Sequence, residues 1–406
     1  MKIVGLIAEY NPFHNGHKFH IEKAKEITGS DAVIVVMSGN FVQRGTPAIM
    51  PKHLRTKAAL KEGASLVLEL PVCYATGSAE FFAQGAVSLL DKLGCVDSIC
   101  FGSECGDITV LEELAKIIAE EPEEYKAFLN KYLKEGNSFP LARQKALKEY
   151  LHNDKMDSVL SEPNNILGIE YLKALYRLNS KIHPYTIQRI SSHYHDEDLQ
   201  ETFSSASAIR KELADSGLEN LRGQIPESGF SIWGERFQKR FPVFANDFSL
   251  LLKYKLLHET NTSLQNYADV SEELANRIMN CLNEYQNFEQ FCELLKTKEV
   301  TYSRISRALI HVLLGIKNTH YTEIEYARIL GFAKKDSGIL SLIKNNGNIT
   351  LVSKLAGNDM MDTLPKTAKE MLEKDIFASN LYESVVCDKF AAPFVHEYSQ
   401  QIVRTE

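Results

Sequence analysis

The sequence predicts an α/β fold with a parallel sheet, a helical insertion and an all-α C-terminal domain, and three observations carry that expectation. Short apolar runs alternate with helical patterns over the first hundred residues. Residues 107–160 then turn helical and charged (VLEELAKIIAEEPEEYKAFLNKYL) with no strand candidate. From residue 245 onward almost every segment has helical periodicity. Strands alternating with helices imply βαβ units and a parallel sheet covered on both faces.

Taken in order, residues 2–8 (KIVGLIA) read as a buried first strand and 31–37 (DAVIVVM) as a second. Residues 65–70 (SLVLEL) and 97–101 (DSICF) follow as the third and fourth. Helical spacing lies between them over 17–27, 51–62 and 78–93, with Pro51 suited to a first helical position and Gly63 and Gly94 to C-terminal stops. After the insertion, a helix over 165–178 and a fifth strand over 185–190 (YTIQRI) resume the alternation. A polar loop (SSHYHDEDLQE) then leads to a helix beginning near residues 205–207. Residues 217–229 (GLENLRGQIPESG) collect Gly, Pro and polar side chains and are the expected boundary between a domain over 1–220 and a helical one over 230–406.

Composition narrows the class. Hydrophobic residues at 44% and charged ones at 24% of 406 residues are globular averages, which excludes disordered, collagenous and disulfide-scaffold proteins. A net charge of −7 excludes coating of nucleic acid by bulk charge but leaves room for a local basic face. Seven scattered cysteines suit reduced thiols, and the five-residue spacing of Cys95, Cys100 and Cys105 matches no usual zinc pattern. No apolar run nears the ~18–20 residues a membrane span needs, and the N-terminus lacks a small-residue cleavage site. A cytoplasmic protein with neither a membrane nor DNA as partner, and with no tightly bound metal, is expected.

The most distinctive motif is Asn11-Pro12-Phe13-His14-Asn15-Gly16-His17, directly after the first strand and opening the first helix. Such a junction offers free backbone N–H groups and the positive end of a helix dipole to a phosphate. Gly16 lets backbone approach a ligand, and two imidazoles three residues apart can donate to phosphate oxygens. A metal cluster of His14, His17 and His20 is the competing reading. It is weakened by the glycine turn and by the lack of a carboxylate or Cys at ligand spacing. Helix capping without function is another.

His14-x-Gly16-His17 resembles the HxGH signature of the nucleotidylyltransferase superfamily, shared with class I aminoacyl-tRNA synthetases. The flanking strings GLIAEYNPFHNGHKFH, MSGNFVQRGTPAI, FGSE, NNILGIEYL and YARILGF resemble the tRNA(Met) cytidine acetate ligase family over essentially the whole chain. That resemblance implies a Rossmann-like nucleotidylyltransferase domain and a ligase that activates acetate with ATP. It further implies transfer of the acetyl group to N4 of the wobble cytidine of elongator tRNA(Met). Mg²⁺ is expected only with the nucleotide, since no carboxylate cage is visible.

By the same resemblance His14 and His17 are the catalytic pair, and ATP is held by the run Ile7, Ala8, Glu9, Tyr10, Asn11, Pro12, Phe13, His14, Asn15, Gly16, His17, Lys18, Phe19 and His20. Ser38-Gly39-Asn40 and Gly102 follow the second and fourth strands, at carboxyl ends where open α/β sheets bind ligands. Each of these glycines could equally serve only its turn. Ser205-Ala206-Ser207-Ala208-Ile209-Arg210 resembles the SSTxIR string of adenylyltransferases, with Ser207 and Arg210 facing phosphate. An ordinary serine N-cap fits that string too. The resemblance adds Asn165, Arg189 and Ile190, with Asn164 an open alternative to Asn165. For tRNA binding, Arg304, Arg307 and Arg328 stand in or after an acid-free helical stretch, although scattered basic residues commonly just solvate a helix. A small-molecule adenylyltransferase is the alternative function, and an RNA-binding adaptor with a degenerate site a third.

Overall fold

The computed structural model describes residues 1–152, 156–189, 204–318, 323–356 and 358–406. Strand β1 (Ile3–Ala8) pairs in parallel with β2 (Ala32–Ser38), from Ile3 opposite Ala32 to Ala8 opposite Met37. β3 (Leu66–Leu70) extends the sheet beyond β2, while β4 (Ser98–Ser103) lies on the other side of β1 and β5 (His183–Gln188) beyond it, all parallel. The resulting order β3-β2-β1-β4-β5 reverses direction between β1 and β4. The carboxyl ends of those two strands therefore diverge and leave a crevice, the usual ligand position in an open α/β sheet.

The apolar runs become strands because both faces are covered. In β2, Ile34 and Val36 pack on one side with α3 (Ala79–Lys92), while Val33, Val35 and Met37 pack on the other with α1 (Asn15–Thr28) and α2 (Lys52–Lys61). The insertion forms α4 (Ile108–Glu120), α5 (Glu123–Lys134) and α6 (Phe139–Leu151), with no strand among its described residues, and α7 (Pro163–Arg177) returns to the sheet. Glu170 on α7 takes Arg143 of α6 at 2.6 Å, while Lys173 reaches Glu80 of α3 at 2.8 Å. The insertion is thereby fastened to the helices packed on the sheet rather than hung from them. α8 (Ala206–Asp215) follows, and then helices that include α9 (Tyr302–Leu314) and the 25-residue α10 (Lys366–Phe390). No described helix is long and apolar enough to cross a membrane. All seven cysteines are free.

The C-terminal part is helical, with one departure. β6 (Tyr326–Ala333) runs antiparallel against β3, and the short β7 (Thr350–Val352) and β8 (Val403–Thr405) lie along its other edge. A fully buried strand is a continuous apolar run, and periodicity cannot separate it from a buried helical turn. The expected boundary at 217–229 is also fastened down. Asn15 donates to the Gly223 carbonyl at 2.6 Å, and the Ser228 hydroxyl donates to Glu62. Beneath the sheet, Lys52 sits between Glu69 and Glu397, each at 2.8 Å, and Glu397 also faces Arg328 at 3.8 Å. The last residues of the chain thus neutralise charge buried in the first hundred.

Candidate active site

β1 ends at Ala8, and α1 begins at Asn15 with His14 as its N-cap. His14 Nδ1 accepts from the Gly16 N–H at 3.1 Å, and the His14 N–H donates to His17 Nδ1 at 3.3 Å. A Cβ on Gly16 would stand 2.9 Å from the His14 ring, so a larger residue here would push that ring out of place. With both Nδ1 atoms accepting, each neutral ring carries its proton on Nε2, an assignment made from the hydrogen bonds. The two rings lie 3.8 Å apart, tilted by 35°.

Burial lowers the His14 pKa to about 3, helped by the charges of Arg189 and Arg210. Burial and then the neighbouring His14 and His20 hold His17 well below the usual value, and burial takes His20 to about 4. All three are neutral at physiological pH. A pair of neutral N–H donors at a helix N-terminus suits an anionic oxygen and not a metal. Among the described residues no group of three His, Cys, Asp or Glu could hold one.

These residues wall a cavity of about 470 Å³ at the carboxyl ends of β1 and β4. Ile7, Ala8, Glu9, Tyr10, Asn11, His14, Gly16, His17, Phe19, His20, Gly102, Arg189, Ser207 and Arg210 all line it. Arg210 donates to the Asn11 carbonyl at 2.7 Å and to Ser207 Oγ at 3.0 Å, joining α8 to the loop after β1. Ser205 is the N-cap, accepting from the Ala208 N–H, so capping and site geometry come from one string. The Arg189 stem lies along Gly102, 3.4 Å from where a Cβ would be.

Several residues assigned by resemblance stand elsewhere. Pro12, Phe13, Asn15 and Lys18 do not line the cavity; Phe13 is core, Asn15 holds residues 223–224, and Lys18 pairs with Glu62 at 2.9 Å. Ser38, Gly39 and Asn40 support the site from behind. The buried Arg55 guanidinium donates to the carbonyls of Glu9, Ser38, Gly39 and Met50, and Asn40 Oδ1 accepts from the Lys52 N–H. Asn165 is buried, accepting from the Glu104 and Cys105 N–H groups, whereas Asn164 faces the cavity. Ile190 and the polar loop after it lie outside the described residues.

The basic face needs correction. Arg328 is 1% exposed in the middle of β6, facing Glu397, and cannot touch RNA. Arg307 is spent on Asp269 at 3.0 Å and packs its backbone against Gly45. Arg304 alone makes no ion pair among the described residues. Sequence reading also missed Gln43 and Arg44, which enter the wall from the hairpin Phe41–Val42/Thr46–Pro47, and the buried Arg55. The string MSGNFVQRGTPAI contains the first two, but nothing in it says that a turn tip will fold over the crevice.

The fold and the site define a nucleotidyl transferase, and the family model of the HIGH nucleotidyl transferases matches residues 1–394. The chain is 44% identical over 417 residues to the tRNA(Met) cytidine acetate ligase of Acetivibrio thermocellus, covering 99% of this chain and 100% of that one. It is 45% identical over 386 residues to the enzyme of the same name from Thermoanaerobacter sp. strain X514, covering 94% and 95%. The crystal structure of Thermotoga maritima TmcAL (apo, form I) superposes with a TM-score of 0.95 at 34% identity over the whole of both chains. That of the same protein bound with alpha-thio ATP gives 0.93, again at 34% identity and over the whole of both chains. The chain belongs to the tRNA(Met) cytidine acetate ligase family.

Proposed function

We propose that this chain joins acetate to ATP as acetyl-adenylate and passes the acetyl group to N4 of the wobble cytidine of elongator tRNA(Met). The observation that carries the first half is the pair of neutral imidazoles at the N-terminus of α1, whose Nε2–H groups have no partner among the described residues, beside Arg189 and Arg210. An acetate oxygen attacks the α-phosphorus, the bond to the β-phosphate breaks, and pyrophosphate departs with the bonding pair. His14 and His17 donate to phosphate oxygens as negative charge grows there, and Arg189 and Arg210 supply fixed positive charge. Because the rings are already neutral, they donate without first losing or gaining a proton.

The described residues supply no cage for Mg²⁺, so an ion arriving with ATP would be held by phosphate oxygens and water. The family name supports the tRNA substrate, and the ATP analogue bound to the T. maritima protein supports the nucleotide. His17→Ala should lower acetate-dependent exchange of labelled pyrophosphate into ATP by about 10²–10³, the usual cost of one pre-organised donor. The circular dichroism spectrum should not change. A folded His17→Ala enzyme with undiminished exchange would remove the imidazole pair from the reaction.

A further inference from the structure

Resting on that reading of the site, we infer that Glu9 receives the proton that the target cytidine N4 must lose when it is acetylated. The cytosine amine is a poor nucleophile because its lone pair is delocalised into the ring. Attack on the acetyl carbonyl forms the N–C bond and breaks the C–O bond to AMP, whose phosphate leaves with the electron pair. The nitrogen must shed one proton, so a base is required within hydrogen-bond reach. The balance is acetyl-adenylate plus amine giving AMP, the N-acetyl base and one proton, with Glu9 as its first acceptor.

Among the described residues Glu9 is the only carboxylate on the cavity wall. The imidazoles there serve poorly. His14 and His17 use Nδ1 as an acceptor and carry their proton on Nε2, and His20, at about 4, would have to become a buried cation beside Arg189. Glu9 Oε1 is held by the Gln43 N–H at 2.9 Å, while Oε2 makes no hydrogen bond among the described residues. One oxygen fixes the carboxylate and the other is left to accept.

The positive and negative charges of the wall act on different groups. Arg189 and Arg210 act on His14, whereas the negative charge of Glu9 acts on Tyr171 and Arg55. A triphosphate belongs with the arginines and would be repelled by Glu9. Gly102 lies near the end of β4, whereas Glu9 directly follows β1 and is held by the hairpin after β2. The same carboxylate discriminates bases: it accepts from the cytosine amine and repels the uracil O4.

The test compares two half-reactions in the full-length chain: acetate-dependent exchange of pyrophosphate into ATP, and single-turnover transfer from bound acetyl-adenylate to tRNA. In Glu9→Gln, which can still accept from the Gln43 N–H, the ratio of transfer to exchange should fall by about 10² or more, the usual contribution of a general base. Glu9→Asp, a shorter carboxylate, should recover part of that ratio. An unchanged ratio would overturn the inference, whether both rates hold or both fall together, and equal failure of Asp and Gln would do the same. Wild-type enzyme without acetate-dependent exchange would instead overturn the adenylation reading itself.

Discussion

At the scale of single residues, the site depends on which polar groups are already committed. Arg304 and Arg307 stand three apart on α9 and look equivalent in the sequence, yet among the described residues one makes no ion pair and the other is bound to Asp269. Arg307→Ala should therefore lower stability, by about 1.5–3 kcal/mol for a half-buried charged hydrogen bond, and lower the melting temperature accordingly. Arg304→Ala should leave the melting temperature in place. If Arg304 meets a phosphate, that variant should flatten the salt dependence of tRNA affinity by up to about one log–log unit. Unchanged tRNA affinity at low and high salt would take Arg304 out of the RNA interface. Residues whose chemistry is local were legible in the sequence: His14, Gly16 and His17 act through bonds spanning three positions. Asn164 and Asn165 were not separable, because only the helix phase of α7 decides which one faces the cavity.

At the scale of elements, the hairpin over residues 41–47 is one of the pieces that join the nucleotide crevice to the helical half. Gly45 holds it there at φ +72°, a region that favours glycine, and a Cβ would lie 2.3 Å from the Arg307 backbone nitrogen. Ser306 Oγ donates to the Gly45 carbonyl at 2.7 Å, closing the contact. Gly45→Ala should cost about 1–3 kcal/mol in backbone strain alone and displace Gln43 and Arg44 from the wall. A calorimetric melting temperature equal to wild type would show that the hairpin does not bear on α9. The first five strands were readable because alternation and bounding turns are local signals. β6 was not, because its pairing with β3 joins segments more than 250 residues apart and its run carries a buried arginine.

At the scale of the whole molecule, the two halves share one sheet and one buried charge network. A fragment over 1–220 would expose the edge of β3 and leave Lys52 and Glu69 without Glu397, so it should fail to give a folded, ATP-binding protein. A soluble fragment with a cooperative melt and ATP affinity like that of the full chain would contradict this. The sequence divides cleanly at the Gly- and Pro-rich segment over 217–229, but composition marks where a chain turns and not what the later chain completes. The most direct measurement of the proposed activity is nucleoside mass spectrometry of elongator tRNA(Met) incubated with the enzyme, ATP and isotopically labelled acetate. The expected result is N4-acetylcytidine carrying the label at the wobble position, formed only when ATP is present. Unmodified cytidine, or label that enters without ATP, would contradict the account.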